Sequence, residues 1–325
     1  MSKIRFIGRH IKKDELEYFS YSGCGFEFDV QPVDNSKVTV TLISELRETD
    51  EQFVSIYLND IFFEKEKLAS GTNQFSFSIN NKNDVTRVRI IKCNETYISS
   101  IYLKNVELEN AQFVDIKPSK KSLIEFYGDS LTCGFGNLGK TPEEFKTSTE
   151  DFTKTYAYLA SFALKMDYSV IARSGISIAL KIYCDKTFDE IYDTVDMFEK
   201  CDTNYHVDYA VINLGTNDMG GYNQLKERDG APEAFFAAYK SLVDKIISKN
   251  KDVKFILCSH MATTYHEDLG IQIQNIVKYI RRTYLNKVKL VEFTPNDGGS
   301  GSHPNILAHK ENAKLLIEAI KSLKY

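Results

Sequence analysis

From Leu123 onward the chain repeats one grammar: a short apolar run, a loop, then a stretch with helical periodicity. The runs 123–127, 168–172, 208–214, 253–258 and 288–293 are largely apolar without strict alternation, as strands covered on both faces must be. Between them, Phe235, Tyr239, Leu242 and Ile246 share one helical face, as do Leu269, Ile273, Ile276 and Ile280. A last helix follows Pro304 and runs through Leu307, Lys314 and Ile317 towards Leu323. Strands that each return through a helix imply a parallel sheet with helices on both faces. The spacing therefore predicts an α/β unit over residues 120–325, a three-layer αβα domain around a five-stranded parallel sheet.

The first 112 residues obey a different rule. Runs at 26–30, 38–43, 53–58, 75–79 and 88–91 carry period-two patterning. Breaks such as Asn59-Asp60, Ser70-Gly71 and Asn80-Asn81 separate them. That pattern is the signature of an all-β sandwich or barrel, expected as a unit over residues 1–115. Residues 113–122, which include Pro118 and a Lys-rich patch, read as the connection.

Composition narrows the function classes. The 325 residues are 42% hydrophobic, enough for about two domains. Charge is nearly balanced, 41 basic against 45 acidic residues spread along the chain, so no nucleic-acid footprint is expected. No apolar run approaches the roughly 20 residues of a spanning helix, so no membrane partner is expected. The amino terminus has charge but lacks the apolar core and cleavage site of a secretory signal. The six cysteines, Cys24, Cys93, Cys133, Cys184, Cys201 and Cys258, form no Cys-x-x-Cys pair and read as free thiols of a cytoplasmic protein. Without a His-Glu-x-x-His or paired His/Cys spacing, no metal site is expected. The edge strands of a sandwich allow self-association, a homo-oligomer, without specifying it.

The loops at the carboxyl ends of the predicted parallel strands share one edge, where open α/β sheets bind ligands. They carry Gly128-Asp129-Ser130, then Arg173-Ser174-Gly175-Ile176-Ser177, then Gly215-Thr216-Asn217-Asp218, and last Ser302-His303-Pro304-Asn305. Taken alone, Gly-Asp-Ser is as compatible with a turn serine capping a helix. Together the blocks offer a hydroxyl, a glycine N–H, a side-chain amide and an imidazole, the set that acyl transfer through a serine requires. Asp129 and Asp218 read as hydrogen-bonding struts beside them.

These blocks resemble the signature of the SGNH, or GDSL, hydrolases. The run Tyr127-Gly-Asp-Ser-Leu-Thr-Cys-Gly-Phe-Gly-Asn137, behind a β-rich unit beginning Arg5-Phe-Ile-Gly-Arg-His10, resembles carbohydrate esterase family 2 more specifically. Those are acetyl xylan esterases with an amino-terminal jelly roll and a carboxyl-terminal SGNH domain. The resemblance implies Ser130 as nucleophile and His303 as its base. It implies an oxyanion hole from the N–H groups of Ser130 and Gly175 with the Asn217 side chain. It implies deacetylation of xylo-oligosaccharides or related sugars through an acetyl-serine, with no cofactor.

Two departures bear on that expectation. The family usually places an Asp three residues before the histidine, where this chain has Ser300. The nearest upstream acid is Asp297, so a Ser-His dyad held by a main-chain carbonyl is expected, with Asp297 as the alternative orienting acid. The chain also contains no Trp, which leaves Tyr222 and Tyr265 as the aromatic platforms for a sugar ring. A lipase or thioesterase acting on longer acyl chains would share the catalytic set but would not usually carry the β-rich leader. A catalytically silent carbohydrate-binding protein would have no need of all four motif residues.

Overall fold

The structure, a computed structural model, describes residues 3–47, 51–79, 84–224 and 230–323. Antiparallel strands fill its first part: β1 (Arg5–Ile7), β2 (Ile11–Lys13), β3 (Leu16–Phe19), β4 (Gly25–Leu46), β5 (Gln52–Leu58), β6 (Ile61–Leu68), β7 (Gly71–Ile79), β8 (Thr86–Lys92) and β9 (Ser99–Val114). The long strand β4 organises them. Its first half pairs with β8, its second half with β7, and β9 runs along most of its length.

The runs 26–30 and 38–43 are thus halves of one strand and not separate ones. Pro32 has no N–H to donate and Asn35 adopts φ 57°, so the register with β9 shifts between Pro32 and Lys37. The strand bends there without leaving the sheet. Alternation survives the bend: Phe26, Phe28 and Val30, then Val38, Val40 and Leu42, are all fully buried. Each such side chain contributes about 1.5–3 kcal/mol by leaving water. Strand β9 extends to Val114, so the connection begins later than the composition suggested. The break expected at Asn80-Asn81 lies outside the described residues.

The second part is a parallel sheet of β10 (Leu123–Gly128), β11 (Asp167–Ala172), β12 (Tyr209–Asn213), β13 (Lys254–Ser259) and β14 (Val288–Glu292), in the order β11-β10-β12-β13-β14. Its helices are α1 (Ser130–Cys133), α2 (Tyr156–Leu164), α3 (Phe188–Ile191), α4 (Thr216–Gln224), α5 (Ala231–Lys249), α6 (Glu267–Thr283) and α7 (Ile306–Ser322). Alternate strand residues take opposite faces. Ile124, Phe126 and Ile256 share a core with Ala157 and Ala160 of α2 and with Leu316 and Ile320 of α7. Tyr127, Ile212 and Leu257 share the other with Phe235 and Tyr239 of α5 and Ile273 and Ile276 of α6. The two predicted helical faces are the buried ones. Among the described residues no helix is long and apolar enough to cross a membrane.

A buried ion pair ties the two sheets together. The Arg9 guanidinium lies 3.3 Å from Glu125 on β10 and donates to the carbonyls of Tyr192 at 2.5 Å and Thr194 at 3.1 Å. Removing one member of such a pair leaves a buried charge alone, at roughly 3–5 kcal/mol.

Candidate active site

Strand β10 is where the sheet order reverses. The chain leaves it for β11 on one side and returns to β12 on the other, with Gly128 level with both Ala172 and Asn213. Crossovers that diverge in this way open a crevice at the carboxyl edge, and Ser130 stands in it. Asp129 accepts the N–H of Leu131 at 3.0 Å, starting the single turn of α1 with Ser130 as its first residue.

His303 arrives from the loop after β14, just ahead of α7, whose first turn is capped by the Asn305 side chain. Its Nε2 lies 2.9 Å from Ser130 Oγ and its Nδ1 lies 2.8 Å from the carbonyl of Gly301. A carbonyl can only accept, so Nδ1 carries the hydrogen and Nε2 presents its lone pair to the serine hydroxyl. Burial pushes the imidazole below its ordinary value, with the Gly301 carbonyl partly opposing. The ring is therefore neutral, and ready to take a proton, at neutral pH. The Phe135 ring tilts against it at 4.4 Å between centroids and is itself stacked on Phe145 at 3.7 Å.

Donors converge from the neighbouring loops. Gly175 follows β11 with φ +76°, and a Cβ there would stand 2.9 Å from the carbonyl oxygen of Tyr183, so both conformation and space call for glycine. Asn217, in the first turn of α4, donates through Nδ2 to the carbonyl of Ile176 at 2.9 Å, with Asp129 Oδ2 at 3.5 Å. An amide nitrogen has two hydrogens: one is held by the Ile176 carbonyl, and the other, engaged only in the long contact to Asp129, is the one a substrate oxygen can take over. Among the described residues no backbone carbonyl takes the N–H of Ser130 or of Gly175.

The flanking acids serve as struts. Asp218 accepts the N–H groups of Ile178, Ala179 and Leu180 at 2.8, 2.9 and 3.0 Å, which shapes the loop beyond Gly175. Burial pushes its carboxyl up to about 6. Asp129 is pushed up to about 7, by burial first and then by Asp218 and Glu95.

Two sequence expectations are corrected here. Asp297 does not orient the imidazole: its side chain is exposed, and its carbonyl accepts from Thr141 Oγ1 at 2.8 Å. Ser300 does not substitute for it, because its Oγ meets Thr149 Oγ1 at 2.9 Å, away from the ring. Tyr222 is the second. It is buried in α4 and packs edge-on against His266 at 4.4 Å, with no face for a sugar. Tyr265 stays half-open, stacked on His260 at 4.1 Å.

Sequence reasoning overlooked four residues near this edge. Phe135 lies against the imidazole, and Phe145 stacks on Phe135. Tyr183 is 43% exposed, and its carbonyl packs on Gly175. Glu95 reaches Ser174 from the antiparallel unit. Phe135 sits inside the serine block and could have been read there; the others are joined to it only by folding. Among the described residues no group of three His, Cys, Asp or Glu side chains is arranged to hold a metal.

Comparison with known proteins finds a family and similar structures. The model of the GDSL-like lipase/acylhydrolase family matches residues 126–322. The cellulase/esterase CelE of Acetivibrio thermocellus is 30% identical over 223 residues, which are 63% of this chain and 26% of that protein. The acetylxylan esterase/glucomannan deacetylase of Cellvibrio japonicus is 28% identical over 254 residues, 73% of this chain and 69% of that one. The chain thus spans about a quarter of the first relative and about two thirds of the second. Among solved structures, a family two carbohydrate esterase from Clostridium thermocellum in complex with cellohexaose superposes with a TM-score of 0.86. It is 21% identical, and the match covers 98% of each chain.

Proposed function

The chain belongs to the GDSL-like lipase/acylhydrolase family, and from that premise we propose that it is a serine esterase removing O-acetyl groups from xylo-oligosaccharides or related sugars. The observation that carries the proposal is the contact of His303 Nε2 with Ser130 Oγ at 2.9 Å, with Nδ1 engaged by a carbonyl. Relatives described as an acetylxylan esterase and a cellulase/esterase support a sugar ester as substrate.

In this mechanism the Ser130 oxygen attacks the acetyl carbonyl carbon while its proton passes to His303 Nε2. The negative charge that develops on the carbonyl oxygen meets the N–H groups of Ser130 and Gly175 and the hydrogen that Asn217 Nδ2 gives up from its long contact with Asp129. Each such donor stabilises the transition state by roughly 3–4 kcal/mol. Collapse expels the sugar oxygen, which takes the proton from His303 and leaves acetyl-Ser130. Water then attacks the acetyl carbon, gives its proton to His303, and acetate departs as Ser130 recovers the proton. The Gly301 carbonyl keeps the imidazole in the right tautomer, the part an orienting acid plays in a triad.

The division into a jelly-roll unit at 1–115 and a catalytic unit at 120–325 belongs to the same proposal, supported by the change from antiparallel to parallel pairing near residue 120. Six free cysteines support a cytoplasmic location, and with it a short imported oligosaccharide as substrate. Tyr265 and Tyr183, half-open at the same edge, are the sugar platforms of this reading.

The test is hydrolysis of chromogenic acetate, butyrate and octanoate esters by wild type, Ser130→Ala and His303→Ala. Turnover of acetate that disappears in both variants is expected. Preference for octanoate would replace the sugar esterase with a lipid or thioester hydrolase, and Ser130-independent turnover would end the proposal.

A further inference from the structure

Glu95 belongs to the antiparallel unit, in the segment between β8 and β9, yet its side chain is buried against the loop after β11. Its Oε2 accepts the backbone N–H of Ser174 at 2.6 Å, and its Oε1 accepts the Ser174 hydroxyl. Two residues further on, the Tyr97 ring carries the Arg173 guanidinium 5.1 Å from its centroid. Arg173 in turn donates from Nη1 to the carbonyl of Ser174. The antiparallel unit therefore grips both residues that precede Gly175.

The consequence lies in one peptide plane. The Ser174 carbonyl and the Gly175 N–H belong to the same planar, trans peptide, so the direction of one fixes the direction of the other. Glu95 holds the near side of Ser174 through its N–H and hydroxyl. Arg173, laid on Tyr97, holds the carbonyl. A flip of this peptide would present an oxygen where the proposed oxyanion site needs a donor. Gly175, at φ +76°, has no side chain to resist one.

The support beneath Glu95 is polar and fully buried. Lys92 Nζ donates to the carbonyls of Asn94 at 2.5 Å and Glu95 at 3.1 Å. Asn94 Oδ1 accepts the N–H of Phe53 at 2.8 Å, and its Nδ2 donates to the carbonyl of Thr147 at 2.8 Å and to Glu150 Oε2 at 3.2 Å. Glu150 Oε2 also accepts the Glu95 N–H at 3.1 Å. Burial pushes the carboxyls of Glu95 and Glu150 up and the Lys92 ammonium down to about 8. Apolar side chains would fill this space at lower cost. What an acid at position 95 adds is direction: two acceptor oxygens fixed against one residue.

We propose that Glu95 is a positioning residue, lent by the antiparallel unit, that orients the 174–175 peptide so that the Gly175 N–H faces the Ser130 site. The inference rests on the acyl-transfer reading above. It is tested with Glu95→Ala, Glu95→Gln and Tyr97→Leu beside wild type and Ser130→Ala. Two readouts are taken, steady-state hydrolysis of a chromogenic acetate and amide hydrogen exchange over residues 173–176. Glu95→Ala is expected to lose roughly a hundred-fold in kcat, the scale of a small misplacement of a catalytic group, with KM changed less than about two-fold because the donor acts on the transition state. Glu95→Gln is expected to recover most of the rate, since its carbonyl accepts the Ser174 N–H and its amide donates to the Ser174 hydroxyl. Exchange should quicken in the Ala variant and stay slow in the Gln variant.

Wild-type kcat in a folded Glu95→Ala protein overturns the inference, as does a Gln variant as impaired as the Ala one. Should the Ala variant not fold, Tyr97→Leu decides: a fall in kcat with quickened exchange at 173–176 supports the inference, and no change in either refutes it. Should wild type show no Ser130-dependent turnover, the reading of the site has failed. The exchange arm then judges Glu95 alone, and unchanged protection in Glu95→Ala overturns its role.

Discussion

Replacing Ser300 by Asp would place a carboxylate three positions before the histidine, and the structure says the change will harm the protein. Ser300 is fully buried, its N–H donates to the Gly136 carbonyl at 3.0 Å, and its Oγ meets Thr149 Oγ1. A Cβ at Gly139 would stand 2.6 Å from Ser300 Cβ and Oγ, and one at Gly136 would stand 2.1 Å from the Ser300 carbonyl. The backbone has closed around a two-atom side chain. An added carboxyl overpacks the site by about 1–3 kcal/mol. The partners of the Ser300 side chain are a hydroxyl and a carbonyl, neither of which offsets a buried negative charge, worth several kcal/mol more. A net loss of at least about 4 kcal/mol lowers the melting temperature of a 325-residue chain by roughly 6 °C or more. Because the new carboxyl is destabilised as the anion, its folded-state pKa is raised, so the loss shrinks as pH falls and the acid protonates. Calorimetry or circular dichroism at pH 8 and pH 5, with kcat/KM for a chromogenic acetate, provides the check. A Ser300→Asp variant as stable as wild type and faster in catalysis would refute the reasoning, because the carboxylate would then have reached Nδ1 in place of the Gly301 carbonyl.

Other consequences are as direct. Asn217→Ala removes one proposed oxyanion donor, so kcat should fall about 10²–10³-fold while the melting temperature stays nearly constant; an effect confined to KM would contradict this. His303 must be neutral to accept the serine proton, and its pKa is depressed by burial. Activity is therefore lost as pH falls through a value below 6.5, and an acid limb centred above 7 in kcat/KM would exclude His303 as the titrating base. Asp218→Ala orphans the N–H groups of Ile178, Ala179 and Leu180, which should cost about 3–5 kcal/mol; a urea midpoint equal to wild type would show the loop held by other means.

How far the sequence could be read depended on whether a residue's role was local or spatial. The five parallel strands were legible because burial on both faces leaves uninterrupted apolar runs, and α5 and α6 because their apolar positions recur every third or fourth residue. Ser130 and His303 are 173 positions apart, yet each stands in a connection that follows the carboxyl end of a strand, where a parallel sheet gathers its loops. The continuity of β4 was hidden because Pro32 and Asn35 look like turn residues wherever they occur. The partner of His303 Nδ1 is a main-chain carbonyl, which every residue has and no side chain advertises, so Asp297 remained open as an alternative. Tyr222 was misjudged because α4 is too short for its buried face to emerge as a period. Glu95 was invisible for a different reason: a lone acid between two strands acquires meaning only when the two sheets meet.

The burial of the thiols gives the protein an internal clock. Cys24 and Cys93 are sealed in the antiparallel unit, Cys133 and Cys258 in the parallel one, and burial pushes all four thiols up, Cys24 to about 12. Only the thiolate reacts with an alkylating reagent, so each of these sulfurs is silent until its surroundings part. The rate at which each becomes labelled in native buffer then measures how often that region opens. Mass spectrometry of the four sites in a single sample would rank the two sheets by resistance to opening, with no mutation and no probe beyond the sulfurs already present.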